Sequence, residues 1–173
     1  LYERLAKLRE RLLEADTSVR IVVTPERMVI DEALRAHTDL ALFELACDAV
    51  VMNRLYPAEA AAEAFFESWG RLQEERLAEV EESFAPLPVL RAPLAREEVV
   101  GVAALAAHGA AIFADADPAA VLCVAPRLRF ARGKGEHRVE LPLPHARKDA
   151  LDVAKLDDAL LVRAGNRRRS IPL

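Results

Sequence analysis

Cysteine is scarce in this sequence. Its two cysteines, Cys47 and Cys123, are far apart in the chain, and no CxxC pair occurs. A disulfide framework and a thiolate metal cluster are therefore both excluded, and both thiols are predicted to be small, buried side chains. The four histidines include no i,i+4 pair and no H-E-x-x-H motif, so the sequence predicts no metal site.

Glycine-rich loops and long apolar segments are also missing. The six glycines, at positions 70, 101, 109, 133, 135 and 165, form no G-x-x-x-x-G-K-[ST] loop. Such a loop presents backbone N–H groups to phosphates, so this sequence does not bind phosphate by that mechanism. No window approaches the ~20 apolar residues of a membrane-spanning helix, and the charged N-terminus is unlike a signal peptide. These absences predict a cytoplasmic protein.

Charge is distributed unevenly along the chain. Residues 1–126 carry 12 basic and 22 acidic side chains, whereas residues 127–173 carry 12 basic and 6 acidic ones. Opposite charges predict that the two parts dock on each other, which is favoured over binding to a nucleic acid. We predict two domains with these boundaries, and the second is small enough to need support from the first.

Apolar runs alternate with helical patterns in residues 1–126. The runs are VRIVVT at 19–24, DAVVMN at 48–53 and LPVLRAP at 87–93. Strands that alternate with helices predict an α/β fold with a parallel sheet covered on both faces. The leucines of an N-terminal amphipathic helix, Leu1, Leu5, Leu8 and Leu12, are expected to cover this sheet.

The helices carry more local signals. Thr24 and Pro25 are predicted to be the N-cap and the first-turn proline of the second helix. Residues 58–84 predict one long helix that buries Phe65 and Trp69, although the aromatic group could also be a client-binding surface. The last helix is predicted over residues 96–113, with acidic residues in its first turn.

Residues 127–173 change to a period of two. A hairpin is predicted around Gly133-Lys134-Gly135, and short strands continue to the C-terminus, so this part is predicted to be a small all-β, sandwich-like domain. The basic NRRRS segment at 166–170 is interpreted as the guard of an exposed strand edge.

Polar residues follow the buried strands. Asn53 and Arg54 stand near the end of the second run, Thr24-Pro25-Glu26 follows the first, and Pro93-Leu94 ends the third. Ligands of open parallel sheets bind at the carboxyl ends of the strands. A planar amide complements the edge of adenine, and proline or leucine packs on the flat base. Asparagine is also simply common where strands end, and the pattern alone favours this interpretation over a base pocket.

Three motifs together resemble one protein family. The segments TPERMVIDEALR, VVMNRLYP and PLAREEVVG look like the C-terminal half of arsenite-pump-driving (ArsA-type) and tail-anchored-protein-targeting ATPases. The segment from Glu136 to Leu173 is similar to the small-heat-shock-protein-like (α-crystallin-like) domain that closes many bacterial members. The resemblance implies part of a P-loop NTPase-type sheet whose P-loop half is absent from this sequence.

The resemblance also implies roles for individual residues. Asn53 corresponds to the asparagine that reads adenine, and Pro93-Leu94 corresponds to the loop that covers the base. Arg54, Pro25 and Glu26 are expected near the nucleotide or a partner subunit. No catalytic residue and no metal ligand is assigned within this chain.

The parent protein is expected to bind and hydrolyse ATP with Mg²⁺, using a P-loop that precedes Leu1. Its expected partners are that P-loop half, a second copy in a homodimer, and a membrane transporter or a membrane-protein client at the inner membrane face. The alternative is a non-enzymatic, chaperone-like module in which the β domain binds a protein client.

Overall fold

The computed structural model describes residues 1–61, 63–133 and 136–173. Close contacts divide the chain into two compact units. The parallel-sheet unit consists of Val19–Ala33 and Asp48–Cys123, and the antiparallel unit consists of Leu1–Ser18, Leu34–Cys47 and Val124–Leu173. The domain boundary expected after residue 126 stays a prediction.

Five α-helices and eight strands follow one another along the described residues. The helices are α1 Tyr2–Leu12, α2 Arg27–Leu42, α3 Ala58–Ala61, α4 Glu67–Phe84 and α5 Val102–Phe113. The strands are β1 Val19–Val23, β2 Cys47–Leu55, β3 Val89–Pro93, β4 Arg129–Arg132, β5 His137–Glu140, β6 Leu151–Leu156, β7 Ala159–Ala164 and β8 Arg167–Pro172, with a short 3-10 helix at Lys148–Ala150.

The parallel sheet has the order β1-β2-β3, and it confirms the predicted α/β class. β2 and β3 pair in parallel, with Val50 opposite Val89 and Met52 opposite Arg91. Helices α4 and α5 pack against β3. Because this sheet is covered, its central strand is buried almost throughout: Val50 and Met52 are fully shielded from solvent.

A buried carboxylate interrupts the apolar interior of this unit. The side chain of Asp48 has no exposed surface. Nε of Arg20 donates to its Oδ1 at 3.3 Å, and Nη2 of Arg20 donates to its Oδ2 at 3.3 Å. The backbone N–H of Leu122 donates to the same carboxylate at 2.9 Å. Arg20 also donates to the carbonyl oxygens of Pro118 and Ala120, at 2.7 and 2.8 Å. Strands β1 and β2 are thereby tied to the segment that follows α5.

Helix α1 forms where its periodicity predicts it, but its leucines do not cover a sheet. Leu1 is 96% exposed, and Leu5 and Leu8 are both more than half exposed. None of the residues of α1 is buried. The prediction that these leucines are buried is therefore wrong.

The long helix predicted over residues 58–84 is interrupted. It forms as α3 and α4, with a turn after residue 62, which lies outside the described residues. Phe65 is 78% exposed and Trp69 is 49% exposed, so the prediction that they are buried is wrong. The apolar stripe of α4 begins later, and its buried members are Leu77, Val80 and Phe84.

Helix α5 also starts later than predicted. Its first residue is Val102, preceded by Gly101 with φ +84°, a left-handed conformation that glycine adopts without strain. The acidic pair Glu97 and Glu98 therefore lies before the helix, and no acidic residue occupies its first turn. The start of α5 was predicted from helical propensity alone. The N-cap residue, Gly101, has no side chain that could have marked this start in the sequence.

The antiparallel unit contains a β4-β5 hairpin and a β6-β7-β8 sheet. The predicted hairpin is confirmed by the pairing of Phe130 with Val139, although Lys134 and Gly135 of its predicted turn lie outside the described residues. Leu128 and Leu141, which flank the hairpin strands, pack on the buried face of the other sheet. The core of this unit consists of Leu42, Val162, Ala164 and Ile171, with Leu128, Leu141, Leu143, Leu151 and Leu160 packed around it.

Two arginines of β8 bind the C-terminal end of α2. Arg167 Nε lies 3.1 Å from a carboxylate oxygen of Asp39. Arg169 is largely buried, donates to the carbonyl oxygen of Leu42 at 2.7 Å and forms an ion pair with Glu44. These pairs join acidic residues of the region 1–126 to basic residues of the region 127–173 within one unit, while the docking of two separate bodies stays a prediction. β8 stands at an edge of the β6-β7-β8 sheet, as the edge-guard interpretation requires, but the side chains of Arg167 and Arg169 also pair within the unit.

A histidine pair lies beside this contact. Nδ1 of His37 and Nε2 of His145 are 3.0 Å apart, and Thr38 Oγ1 donates to the carbonyl oxygen of Pro144 at 2.7 Å. Burial and the neighbouring ring lower the pKa of His37 to about 4, and burial also lowers the pKa of His145. Both imidazoles are therefore uncharged at neutral pH, so that one ring donates its N–H to the other.

Candidate functional site

The carboxyl ends of all three parallel strands meet at one cavity of about 150 Å³. Residues after β1, near the end of β2, after β3 and on α4 form its wall. They are Thr24, Pro25, Glu26, Arg54, Tyr56, Trp69, Leu72, Gln73 and Leu94. Parallel strands direct their carboxyl ends to the same edge of a sheet, so the fold itself assembles this set from distant parts of the sequence.

A β-bulge shapes the end of β2. Met52 pairs with Arg91 and Leu55 pairs with Pro93, so Asn53 and Arg54 together lie opposite a single residue of β3. Arg54 has φ +61°, in the left-handed region that a branched-chain or charged residue seldom adopts. Bulges of this kind redirect side chains and are frequent beside active sites. Asn53 and Arg54, the polar pair at the end of β2, are thus the two residues that form the bulge.

The amide of Asn53 is held by the same bulge. Its Oδ1 accepts the backbone N–H of Arg54 at 2.9 Å. Because Oδ1 must be the acceptor in this bond, the orientation of the amide is defined, and the NH₂ group lies on the opposite side. Asn53 is half-buried at the strand end and does not line the 150 Å³ cavity.

The buried Gln73 closes the end of β2. Its Oε1 accepts the backbone N–H of Tyr56 at 2.7 Å, and its Nε2 donates to the carbonyl oxygen of Tyr56 at 3.3 Å. The side chain thus replaces a neighbouring strand at a point where backbone groups would otherwise lack partners. The ring of Tyr56 lies 5.4 Å from the ring of Phe66, which holds it at the cavity wall.

Thr24 contributes an unusual group to the cavity wall. Its Oγ1 is buried and has no hydrogen-bond partner among the described residues. The first helical hydrogen bond of α2 is accepted by Glu26, from the N–H of Ile30 at 3.0 Å, so the prediction that the Thr24 side chain is the N-cap is wrong. A buried hydroxyl without a partner costs about 1–3 kcal/mol, which a bound polar group would recover.

The structure brings together four of the six residues predicted for this site. Pro25, Glu26, Arg54 and Leu94 line the cavity, whereas Asn53 and Pro93 do not. Each of these two residues directly precedes a lining residue in the chain, Arg54 and Leu94 respectively. The N–H of Leu94 donates to the carbonyl oxygen of Leu55 at 2.7 Å, which keeps the exit of β3 beside the end of β2.

Four lining residues were missed by reasoning from the sequence: Tyr56, Trp69, Leu72 and Gln73. A signal for Gln73 did exist. The buried residues of α4 include Gln73, Leu77 and Val80, so the glutamine stands on the apolar stripe of its helix. A polar residue on such a stripe requires a buried partner, and here that partner is the end of β2.

The dimensions of the cavity limit what it could hold. Ligand pockets for complete drug-sized molecules measure about 300–1,000 Å³, so 150 Å³ suits one planar ring or a part of a larger ligand. Within the described ranges, no group of three or more His, Cys, Asp or Glu side chains could hold a metal ion. No helix of the described residues is long and apolar enough to cross a membrane.

Comparison with known protein families gives two matches. A model of the family described as "Anion-transporting ATPase" matches residues 1–114, and one described as "HSP20-like domain found in ArsA" matches residues 134–173. The chain belongs to the anion-transporting ATPase family. The family resemblance identified in the sequence, including the C-terminal domain, is thereby confirmed.

Individual members of the anion-transporting ATPase family align with the whole chain. A protein of Aquifex aeolicus, named "Putative arsenical pump-driving ATPase 1", is 33% identical over 99% of this chain and 44% of its own length. A protein of Chlorobaculum tepidum with a similar name is 34% identical over 100% of this chain and 43% of its own length. The chain therefore spans less than half the length of these relatives.

Proposed function

We propose that the strand ends of this chain form the base-recognition part of an ATP site. In this proposal Asn53 reads the edge of the adenine, Pro93 and Leu94 cover its face, and Arg54, Pro25 and Glu26 lie beside the nucleotide. The observation that carries the proposal is the β-bulge at the end of β2, which fixes the Asn53 amide at the carboxyl edge of a parallel sheet.

The chemistry of this edge supports a ligand with a planar, polar ring. The Asn53 NH₂ group can donate, and Oδ1 keeps a second lone pair after it accepts the Arg54 N–H. An adenine edge offers the matching acceptor and donor. The neighbouring cavity adds aromatic and aliphatic wall residues and the hydroxyl of Thr24 that lacks a partner.

The activity of the longer protein is part of the same proposal. Membership of the anion-transporting ATPase family and the names of its relatives favour ATP hydrolysis that drives the export of an arsenical anion. The sequence contains no G-x-x-x-x-G-K-[ST] loop, so we propose that the phosphates and Mg²⁺ are bound by residues outside this chain. The homodimer and the membrane partner stay predictions.

Photolabelling of the longer protein that carries this chain tests the proposal. An ATP analogue with a photoreactive azide on the adenine is expected to label peptides from residues 50–57 and 93–95, because the base lies between them. Mass spectrometry of the digested protein identifies the labelled residues, and unlabelled ATP should prevent the labelling.

A matched reagent provides the control. An analogue with the azide attached to the γ-phosphate is expected to label peptides outside these 173 residues, because the phosphate-binding loop is proposed to lie there. If the adenine-linked azide labels only peptides other than 50–57 and 93–95, the proposed base site is wrong. Reaction of the γ-linked azide with residues 50–57 would also contradict the orientation proposed here.

A further inference from the structure

A second and larger cavity lies inside the antiparallel unit. It has a volume of about 830 Å³ and opens between the β4-β5 hairpin and the β6-β7-β8 sheet. This volume is within the range of about 300–1,000 Å³ that is typical of sites for small organic ligands. It is distinct from the cavity at the parallel strand ends, with which it shares no residue.

The hairpin wall of this groove changes character along its length. Phe130 and Val139 are opposite each other, and so are Arg132 and His137, two residues nearer the turn. Since side chains alternate between the two faces of a strand, both pairs are on the same face. The apolar pair therefore stands farther from the turn, and a guanidinium and an imidazole stand nearer to it.

The opposite wall also combines an apolar and a cationic side chain. Leu160 of β7 is half-buried and belongs to the apolar surroundings of the core, and its partner in β6 is Lys155. Leu173 adds a second apolar side chain that is 54% exposed. Asp157 is the acidic residue among those lining the groove, which also include Arg132, Arg138 and Lys155. The groove therefore carries a net positive charge.

We propose that this groove binds an amphiphilic anion with a hydrocarbon chain, of which a medium-chain or long-chain carboxylate is the simplest example. The chain would lie against Phe130, Val139, Leu160 and Leu173, and the carboxylate would pair with Arg132 and Lys155. Phe130 is 57% exposed, so a hydrocarbon chain in contact with it would remove apolar surface from water, which contributes about 25 cal/mol per Å².

The placement of charge distinguishes this ligand from an extended acidic peptide. A peptide with alternating acidic and apolar residues needs cations distributed along the whole groove. Here the apolar Phe130-Val139 pair stands away from the turn, and the cation of this face, Arg132, stands toward it. The further lining cation of the hairpin, Arg138, is opposite Ala131, whose side chain belongs to the other face of the strand. One apolar end and one anionic end match this pattern. The inference does not depend on the proposed ATP site.

Calorimetric titration of the 173-residue chain with dodecanoate, below its micelle concentration, tests the proposal. Dodecanoate is expected to bind, whereas dodecanol, which lacks the charge, and acetate, which lacks the chain, are expected to bind at least about tenfold more weakly. Added salt should weaken the binding of dodecanoate, because the carboxylate pairs with partly exposed cations.

Two pairs of variants separate the groove from the rest of the surface. Arg132→Glu together with Lys155→Glu is expected to lower the affinity for dodecanoate at least about tenfold, which corresponds to about 1.4 kcal/mol. Arg168→Glu reverses an exposed charge on the other face of the sheet and should leave the affinity unchanged. Phe130→Ser should weaken binding, and Leu156→Ser, at a similarly exposed position on that other face, should not.

Three results would overturn the proposal. They are equal binding of dodecanol and dodecanoate, an equal loss of affinity in Arg168→Glu, and the absence of dodecanoate binding to the intact chain. Binding of an acidic Leu-Glu repeat peptide in place of dodecanoate would assign the groove to a protein partner and would also contradict it. Circular dichroism of each variant shows whether a lost affinity reflects lost folding.

Discussion

Replacement of Asp48 with alanine is expected to lower the free energy of unfolding of the parallel-sheet unit by about 3–5 kcal/mol. The carboxylate is fully buried, and its removal leaves the guanidinium of Arg20 and the N–H of Leu122 without their acceptor. Small domains are stable by only about 5–15 kcal/mol, so this single change removes a large part of the total. Urea unfolding monitored by the fluorescence of Trp69, the one tryptophan, measures it.

The control for this prediction is a second Arg–Asp pair. Arg147 and Asp149 form an exposed ion pair at 2.6 Å, and Asp149→Ala is expected to leave the urea midpoint unchanged, because exposed pairs contribute little. The double variant Arg20→Met, Asp48→Leu should be more stable than Asp48→Ala alone, since it leaves no uncompensated buried charge. An Asp48→Ala protein as stable as the unmodified chain would show that the pair is not structural.

Replacement of Arg169 with methionine is expected to destabilise the antiparallel unit by about 2–3 kcal/mol, somewhat less than a fully buried pair because Glu44 is partly exposed. Methionine has a similar length, so it retains packing but leaves the Leu42 carbonyl and the Glu44 carboxylate without their donor. Hydrogen exchange measured by mass spectrometry should show faster exchange in β7 and β8.

The neighbouring arginine is a suitable reference. Arg168 is exposed in the same strand, and Arg168→Met should leave the exchange of β7 and β8 as it is in the unmodified chain. Equal acceleration in the Arg168 and Arg169 variants would mean that the loss of general positive charge, and not the contact with α2, controls stability. Unchanged exchange in Arg169→Met would contradict the docking role directly.

Much of the fold could be predicted from the sequence because its signals are local. The three apolar runs form β1, β2 and β3, and the period-two segments form the β4-β5 hairpin and the β6-β7-β8 sheet. Turn chemistry is equally local: Gly165 has φ +56° in the turn between β7 and β8, as the Gly-Asn pair predicts. Hydrophobic period and turn residues act within a few positions of the chain, so they are readable without coordinates.

The errors arose where distant residues decide the outcome. Arg167 and Arg169 look like an exposed basic run in the sequence, but Asp39 on α2 and Glu44 just after that helix neutralise them. Asp48 stands in an apolar run, and only the structure shows that Arg20 is its partner. Ion pairs between distant segments leave no periodic pattern, so the sequence predicts net charge and docking but not the pairs themselves.

The candidate site shows the same division. The rule that ligands bind at the carboxyl ends of parallel strands was sufficient to choose all three strand exits, and four chosen residues line one cavity. The bulge at Asn53 and Arg54 could not be predicted, because it depends on the register between β2 and β3. The contact between Gln73 and Tyr56 likewise depends on where α4 packs, which its own sequence does not determine.

The central claim is that the Asn53 amide recognises the base of ATP, and Asn53→Ala in the longer protein tests it most directly. The variant is expected to raise the Kd for ATP about tenfold, because the loss of roughly one hydrogen bond costs about 1.4 kcal/mol of binding free energy. The Kd for inorganic phosphate is expected to stay the same. Asn166→Ala, which alters the other asparagine of this chain, should change neither value. Equal weakening of ATP and phosphate in Asn53→Ala, or no weakening of ATP, would contradict the account.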